Sequence, residues 1–206
     1  MYIPDRFRMD DPVVLREFIR THDFATIVAR DGDGLLVSHA PLLLSEPDAP
    51  MALRGHLAAS NPMASRFENP TRVLAICMGP HAYIPRGWYT ERPTVPTWNY
   101  AAVYVEGTAL MLERPEDVID LLGRTAHAHE SPGGWRFDPS SPEAWRLVPG
   151  VRAFEIPIDR MSGKFKLDQT ESAGDRESIA RGLEATGDTQ HVELARLMRS
   201  VGAPKR

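Results

Sequence analysis

Cysteine is almost missing from this sequence: there is one, Cys77, in 206 residues. An internal disulfide is therefore excluded. The surrounding run Val73-Leu74-Ala75-Ile76-Cys77-Met78 marks the thiol as a buried, inert one. Lysine is nearly as scarce, three against 21 arginines, which reflects genome composition more simply than a binding surface. Positive charge is not in excess either. A formal charge of −4 gives no global attraction for nucleic acid or anionic lipid, although a local basic face on a dimer is still allowed. No apolar run approaches the length that spans a bilayer, and Met1 to Phe7 lacks the apolar stretch of a secretory signal. The expectation is a cytoplasmic protein.

Several catalytic signatures are absent as well. There is no Gly-x-Ser-x-Gly elbow, no glycine-rich phosphate loop and no dinucleotide fingerprint. No segment reads as a helix-turn-helix; the acidic helices after Asp175 come nearest, and their charge opposes major-groove docking. His127-Ala128-His129-Glu130 looks like a metal cluster, but residues two apart on a helix point to different faces, so no metal is assigned. No repeat or low-complexity tract occurs.

What is present is concentrated between residues 79 and 100. Gly79-Pro80-His81-Ala82-Tyr83-Ile84-Pro85-Arg86-Gly87-Trp88-Tyr89 and Val95-Pro96-Thr97-Trp98-Asn99-Tyr100 hold two of the four tryptophans and three of the five tyrosines. Aromatics set among backbone-fixing residues suit a wall that offers rings and hydrogen bonds to a flat polar ligand. A stiff proline-rich loop pinned by aromatic packing is the other reading.

Along the chain, Asp10-Asp11-Pro12 opens a helix to about Arg20 with Val14, Leu15, Phe18 and Ile19 inward. Phe24 to Arg30, the turn Asp31-Gly32-Asp33-Gly34 and Leu35 to Leu44 form a hairpin. Its second arm carries Ser38-His39-Ala40-Pro41, and a proline there points to an edge or bulge. Met51 to Leu57 is a strand running into a short helix capped by Ser60 or Asn61 and reaching Phe67. Val73 to Met78 is a buried strand, and Trp98 to Leu112 a long one bent near Gly107. Pro115 to His129 is a helix with the stripe Val118, Leu121, Leu122 and Thr125. One helical turn near Glu143 to Leu147, a strand Val151 to Ile158, and a separate extended piece Gly163 to Leu167 follow. The tail from Asp175 is helical, broken at Gly187, with an amphipathic end from Val192 to Val201.

Antiparallel strands with interspersed helices and no βαβ alternation predict an α+β fold around a small barrel. Two places suit anions. The junction Gly55 to Pro62 would leave main-chain N–H groups unpaired at a helix start, where a phosphate docks, unless the capping residue only caps. Gly163-Lys164-Phe165-Lys166 sets two lysines at alternate positions, either as cations for a phosphate or flavin carbonyl or as a solvated strand edge.

The order of Tyr2-Ile3-Pro4, Ser38-His39, Gly55-His56-Leu57-Ala58 with Asn61-Pro62, Gly79-Pro80 with Tyr83-Ile84, Trp88-Tyr89, Val95-Pro96-Thr97-Trp98-Asn99-Tyr100, and Gly163-Lys164-Phe165-Lys166-Leu167 with Gln169 resembles the PaiB family of FMN-binding negative transcriptional regulators. The resemblance runs from residue 1 to roughly 200. It implies an FMN-binding split β-barrel with peripheral helices over residues 1–170 and a helical C-terminal extension over 171–206. It also implies a homodimer holding the flavin in a shared cleft, and a DNA partner if the regulatory role holds. Carried over residue by residue, it makes Ser38, His39, His56, Ser60 and Asn61 candidates for the flavin phosphate and ring edge. Thr97, Trp98, Asn99 and Lys164 become candidate ring neighbours. The chain departs from the family pattern at Ala59, where arginine is usual, at Ser60 (alanine), at Tyr104 (histidine) and at Asp168 (serine). No catalytic residue is assigned. A flavin-dependent oxidoreductase on the same barrel is the alternative, or a haem-binding module with His39 or His56 as ligand. For DNA contact, the expected basic patch lies near Arg86, Arg92 and Arg160.

Overall fold

The computed structural model describes residues 1–45, 51–91 and 94–201. Its strands are β1 (Arg8–Met9), β2 (Phe24–Asp31), β3 (Gly34–Pro41), β4 (Leu43–Leu44), β5 (Ala52–Ala58), β6 (Thr71–Ile84), β7 (Thr97–Met111) and β8 (Val151–Lys166). The helices are α1 (Pro12–Thr21), α2 (Pro62–Arg66), α3 (Pro115–His129), α4 (Pro142–Leu147), α5 (Ala173–Ala185) and α6 (Thr189–Ser200). Strands follow the order β3-β2-β6-β7-β8-β5-β4, with β1 also on β8. β1–β8, β2–β3, β2–β6, β4–β5 and β5–β8 pair antiparallel. The α+β architecture expected from the strand and helix signals is the one observed.

Two compact units share this sheet. One comprises Met1–Phe18, Met78–Val103 and the chain from Ser162 onward; the other comprises Ile19–Cys77 and Tyr104–Met161. The long strands β6, β7 and β8 each contribute a segment to both.

In the second unit the β2–β3 hairpin turns at Asp31 to Gly34, and Ser38 pairs with Ile27 while His39 pairs with Thr26. β3 closes one end of the strand order, and Pro41 is its last residue, where a missing N–H disturbs no further ladder. The core is built on Phe67 and Phe154, whose ring centroids lie 4.9 Å apart. Gly107 is required here: a Cβ at that position would meet the main-chain oxygen of Pro157 and stand 2.6 Å from Ile156 Cγ2. Cys77 has no exposed surface, and its thiol is pushed up to about 12 by burial and by the nearby charge of Asp23. It is the inert thiol expected.

In the first unit, Leu15 and Phe18 of α1 are buried, with the Phe18 ring 5.1 Å from that of Phe165. Ile19, the next inward residue, is buried in the other unit. Val14 differs from expectation and is 36% exposed. It sits one position before the buried stripe, on the shoulder of the helix. Two further differences concern strand length. β6 does not stop at Met78 but continues through Gly79 and Pro80 to Ile84. Pro80 is tolerated because the registered pairs with β2 span only Val73 to Ile76. β8 is likewise one strand from Val151 to Lys166, so Gly163 to Lys166 is its end rather than a separate piece.

Candidate functional site

Strand alternation sorts the aromatic stretch into two faces. On β7, Trp98 is 54% exposed while Asn99 is wholly buried. On β6, Tyr83 is 49% exposed, with His81 two residues before it on the same face. The rings of His81 and Tyr83 each lie 6.1 Å from that of Trp98. At the neighbouring positions on β8, Lys164 Nζ stands 5.5 Å from the Tyr100 ring and 5.7 Å from the Tyr2 ring. Lys166 donates from Nζ to Thr97 Oγ1 and, at 2.7 Å, to the Trp98 carbonyl. Burial lowers the Lys166 pKa, a shift partly opposed by Asp168. The first unit thus carries an open face of rings bordered by two ammonium groups.

Asn99 belongs to the opposite face. Its amide Nδ2 donates to Asp168 Oδ2 at 2.7 Å, and Tyr89 Oη donates to the same oxygen at 3.2 Å. Burial, with the Asp168 carboxylate next in weight, holds the Tyr89 phenol well above its ordinary value. Asp168 itself adopts a left-handed backbone (φ 53°), which a short polar side chain tolerates better than most. Asn99 therefore organises the turn after β8 rather than the ring face.

The remaining candidates lie in the second unit. Asn61 accepts the N–H of Met63 at 2.9 Å and so is the cap of α2; Ser60, the other possible cap, is exposed. Asn61 Nδ2 also donates to Ser38 Oγ at 3.0 Å, locking α2 to β3. The free amides expected at this junction are largely engaged: the N–H of Ala59 reaches Gly150, that of Asn61 reaches Ala58, and that of Ala64 reaches Asn61. Pro62 has none. His39 is exposed and stacks on Phe24 at 6.2 Å. His56 is different: its Nδ1 is buried without a hydrogen-bond partner among the described residues, and burial lowers its pKa. This unsatisfied buried nitrogen sets His56 apart from the other candidates of the second unit.

Of the expected basic patch, Arg160 is paired with Glu106 at 3.1 Å, Arg86 is exposed, and Arg92 lies outside the described residues. Among the described residues no cluster of three metal-ligating side chains occurs. His129 instead pairs with Asp23 at 3.1 Å.

Comparison with known proteins places this arrangement. Residues 1–160 match the family described as "Putative FMN-binding domain". Protease synthase and sporulation protein PAI 2 of Bacillus subtilis is 31% identical over 202 residues, covering 96% of each chain. The chain belongs to the PaiB family of FMN-binding proteins. An uncharacterised Aspergillus fumigatus protein is 29% identical across 93% of this chain and 94% of its own. Among solved structures, a conserved hypothetical protein of Mycobacterium tuberculosis superposes with a TM-score of 0.61 at 13% identity, covering 84% of this chain and 94% of that one. A Mycobacterium smegmatis protein described as binding FAD and haem gives 0.57 at 14%, covering 85% and 80%. At such identities these structures speak for the fold, the split β-barrel. FMN is the cofactor of the PaiB-type family. His81, Tyr83 and Tyr100, which the sequence placed in the aromatic stretch, and Lys166, which it paired with Lys164, join the ring face although the family resemblance had not carried them over as flavin contacts. For His81 and Tyr83 the signal was alternation across Gly79-Pro80, hidden by two residues that usually end a strand.

Proposed function

We propose that this PaiB-family chain holds FMN with its ring against the Trp98 face of the first unit and acts as a homodimeric negative regulator of transcription. The observation that carries the flavin reading is the half-exposed ring pair of Trp98 and Tyr83, with Lys164 over the ring of Tyr100 on the same strand as Trp98. Large rings left in water on a strand face mark a binding surface. Bound FMN supplies redox chemistry and a visible chromophore. The residues supply the rest: Trp98 and Tyr83 offer π-faces, while Lys164 and Lys166 offer cations suited to electron-rich carbonyl oxygens. His56, with its unsatisfied Nδ1, and Ser38, His39, Ser60 and Asn61 are the further candidates carried over from the family. Among these, Ser60 is exposed and its hydroxyl is open to an anion.

Titration with FMN, followed by quenching of tryptophan fluorescence and by the visible flavin band, tests this. Trp98→Ala is expected to weaken uptake by roughly tenfold, the worth of one ring-stacking contact. Asn61→Ala is expected to weaken it through the loosened α2 junction. Unchanged affinity in both variants refutes the mapping. The same open ring face also suits a flavin-dependent oxidoreductase. Steady consumption of a nicotinamide reductant by the FMN-loaded protein would favour that reading over the regulator. Because the net charge is −4, a regulator must contact DNA through a local surface. Gel-shift retention that falls steeply with salt is the expected sign.

A further inference from the structure

Among the described residues, Tyr2 is the most exposed of the large hydrophobic side chains, at 81%. The segment that carries it is nevertheless fixed. Ile3 and Phe7 are buried, and a single 3-10 turn over Asp5–Phe7 closes with the Phe7 N–H on the Pro4 carbonyl at 2.9 Å. β1 then pairs with the end of β8, Arg8 opposite Lys164 and Met9 opposite Gly163. Arg8 Nη2 reaches back to the Ile3 carbonyl at 3.3 Å. Lys164 Nζ donates to the Tyr2 carbonyl, also at 3.3 Å. The main chain at Tyr2 is tied to β8 while its ring stands in water.

The sheet order sets where that ring stands. β6, β7 and β8 are neighbours, and β1 is a further partner of β8. His81 and Tyr83 on β6 each lie 6.1 Å from Trp98 on β7. Tyr100, two residues on, shares the Trp98 face. Lys164 Nζ on β8 lies 5.5 Å from the Tyr100 ring and 5.7 Å from the Tyr2 ring. Tyr2 is therefore the last ring of a row whose other rings make the proposed flavin face. Holding Lys164 does not explain it. The ammonium already has the Tyr100 ring and the Tyr2 main-chain oxygen, and neither contact needs an aromatic side chain at position 2. An exposed ring held in place beside a binding face extends that face.

We propose that Tyr2 is a ligand-contact residue of the ring face, its side chain closing the β8 side against the edge of a bound isoalloxazine. This rests on the flavin reading above and adds to it a contact from outside the aromatic stretch. The contact is made by the ring and not by the hydroxyl.

Fluorescence titration of the full-length protein with FMN and with riboflavin, which has the same ring and no phosphate, tests the proposal. Tyr2→Ala is expected to weaken both flavins about three- to tenfold, the worth of one aromatic contact. Tyr2→Phe is expected to bind both as wild type does. In a Lys164→Met background, Tyr2→Ala should cost the same factor again, because its ring touches the ligand directly. Wild-type affinity in Tyr2→Ala overturns the proposal and leaves the flavin reading standing. A loss confined to FMN also overturns it, because the contact would then be with the phosphate. So does a loss that vanishes in the Lys164→Met background, which would make Tyr2 a support for the ammonium only. If wild type takes up neither flavin, the flavin reading and this proposal fall together.

Discussion

Asp175 is a carboxylate with no exposed surface, and it is held by main-chain amides from a distant part of the sequence. The N–H groups of Thr90 and Glu91 donate to its Oδ1 at 2.5 and 2.8 Å. Ser172 caps α5 by accepting the N–H of Asp175 at 3.0 Å. These donors favour the ionised form, the Glu91 amide most, and the pKa lies below the ordinary carboxylate value. A folded-state pKa below the unfolded one gives stability that is complete above the unfolded value, near 3.9. That contribution is lost as pH falls through the folded value. Thermal melts from neutral to acid pH should therefore show Asp175→Asn destabilised most at neutral pH, with the gap to wild type closing below about pH 4. A gap that stays constant with pH would assign the effect to lost hydrogen bonds alone. At this scale the sequence was partly readable. The cap of α2 was narrowed to Ser60 or Asn61 by local spacing, because a cap and its amide are neighbours, and the structure selects Asn61. Asn99 could not be placed this way, since Asp168 lies 69 residues further along the chain and nothing local announces it.

Elements were legible where one periodicity governs them. α3 has the bounds its apolar stripe predicts, Pro115 to His129. β8 was harder, because Asp159, Arg160, Ser162 and Gly163 look like a turn. In the structure they stay extended within β8, where Asp159 pairs with Arg72 and Arg160 with Glu106. Such partners are invisible to a local reading. β7 depends on the same neighbour at Gly107, where the Pro157 main chain passes too close for any side chain. Gly107→Ala should force the strands apart and cost about 1–3 kcal/mol, in the range of overpacked cores. Denaturant melts that show no loss would mean the backbone gives way freely at this crossing.

At the scale of the molecule, the question is whether the two units melt together. β6, β7 and β8 pass without interruption from one into the other, so the units are joined by continuous strand rather than by a linker. Cooperative loss follows from such shared elements, as it does not for units joined by a linker. Flavin binding offers a direct test, because the proposed ring face lies wholly in the first unit. A ligand that binds only the folded state at a hundredfold excess over its Kd stabilises by about 2.7 kcal/mol. For a chain of this length each kcal/mol moves Tm by about 2–4 °C, so the shift should be about 5–11 °C. Differential scanning calorimetry with FMN is expected to show one peak moving by that amount. Trp98→Ala should show a smaller movement at the same FMN concentration, because its Kd is higher. If only part of the heat absorption moves and a second peak stays in place, the ring-bearing unit melts alone. The continuous strands would then not couple the two.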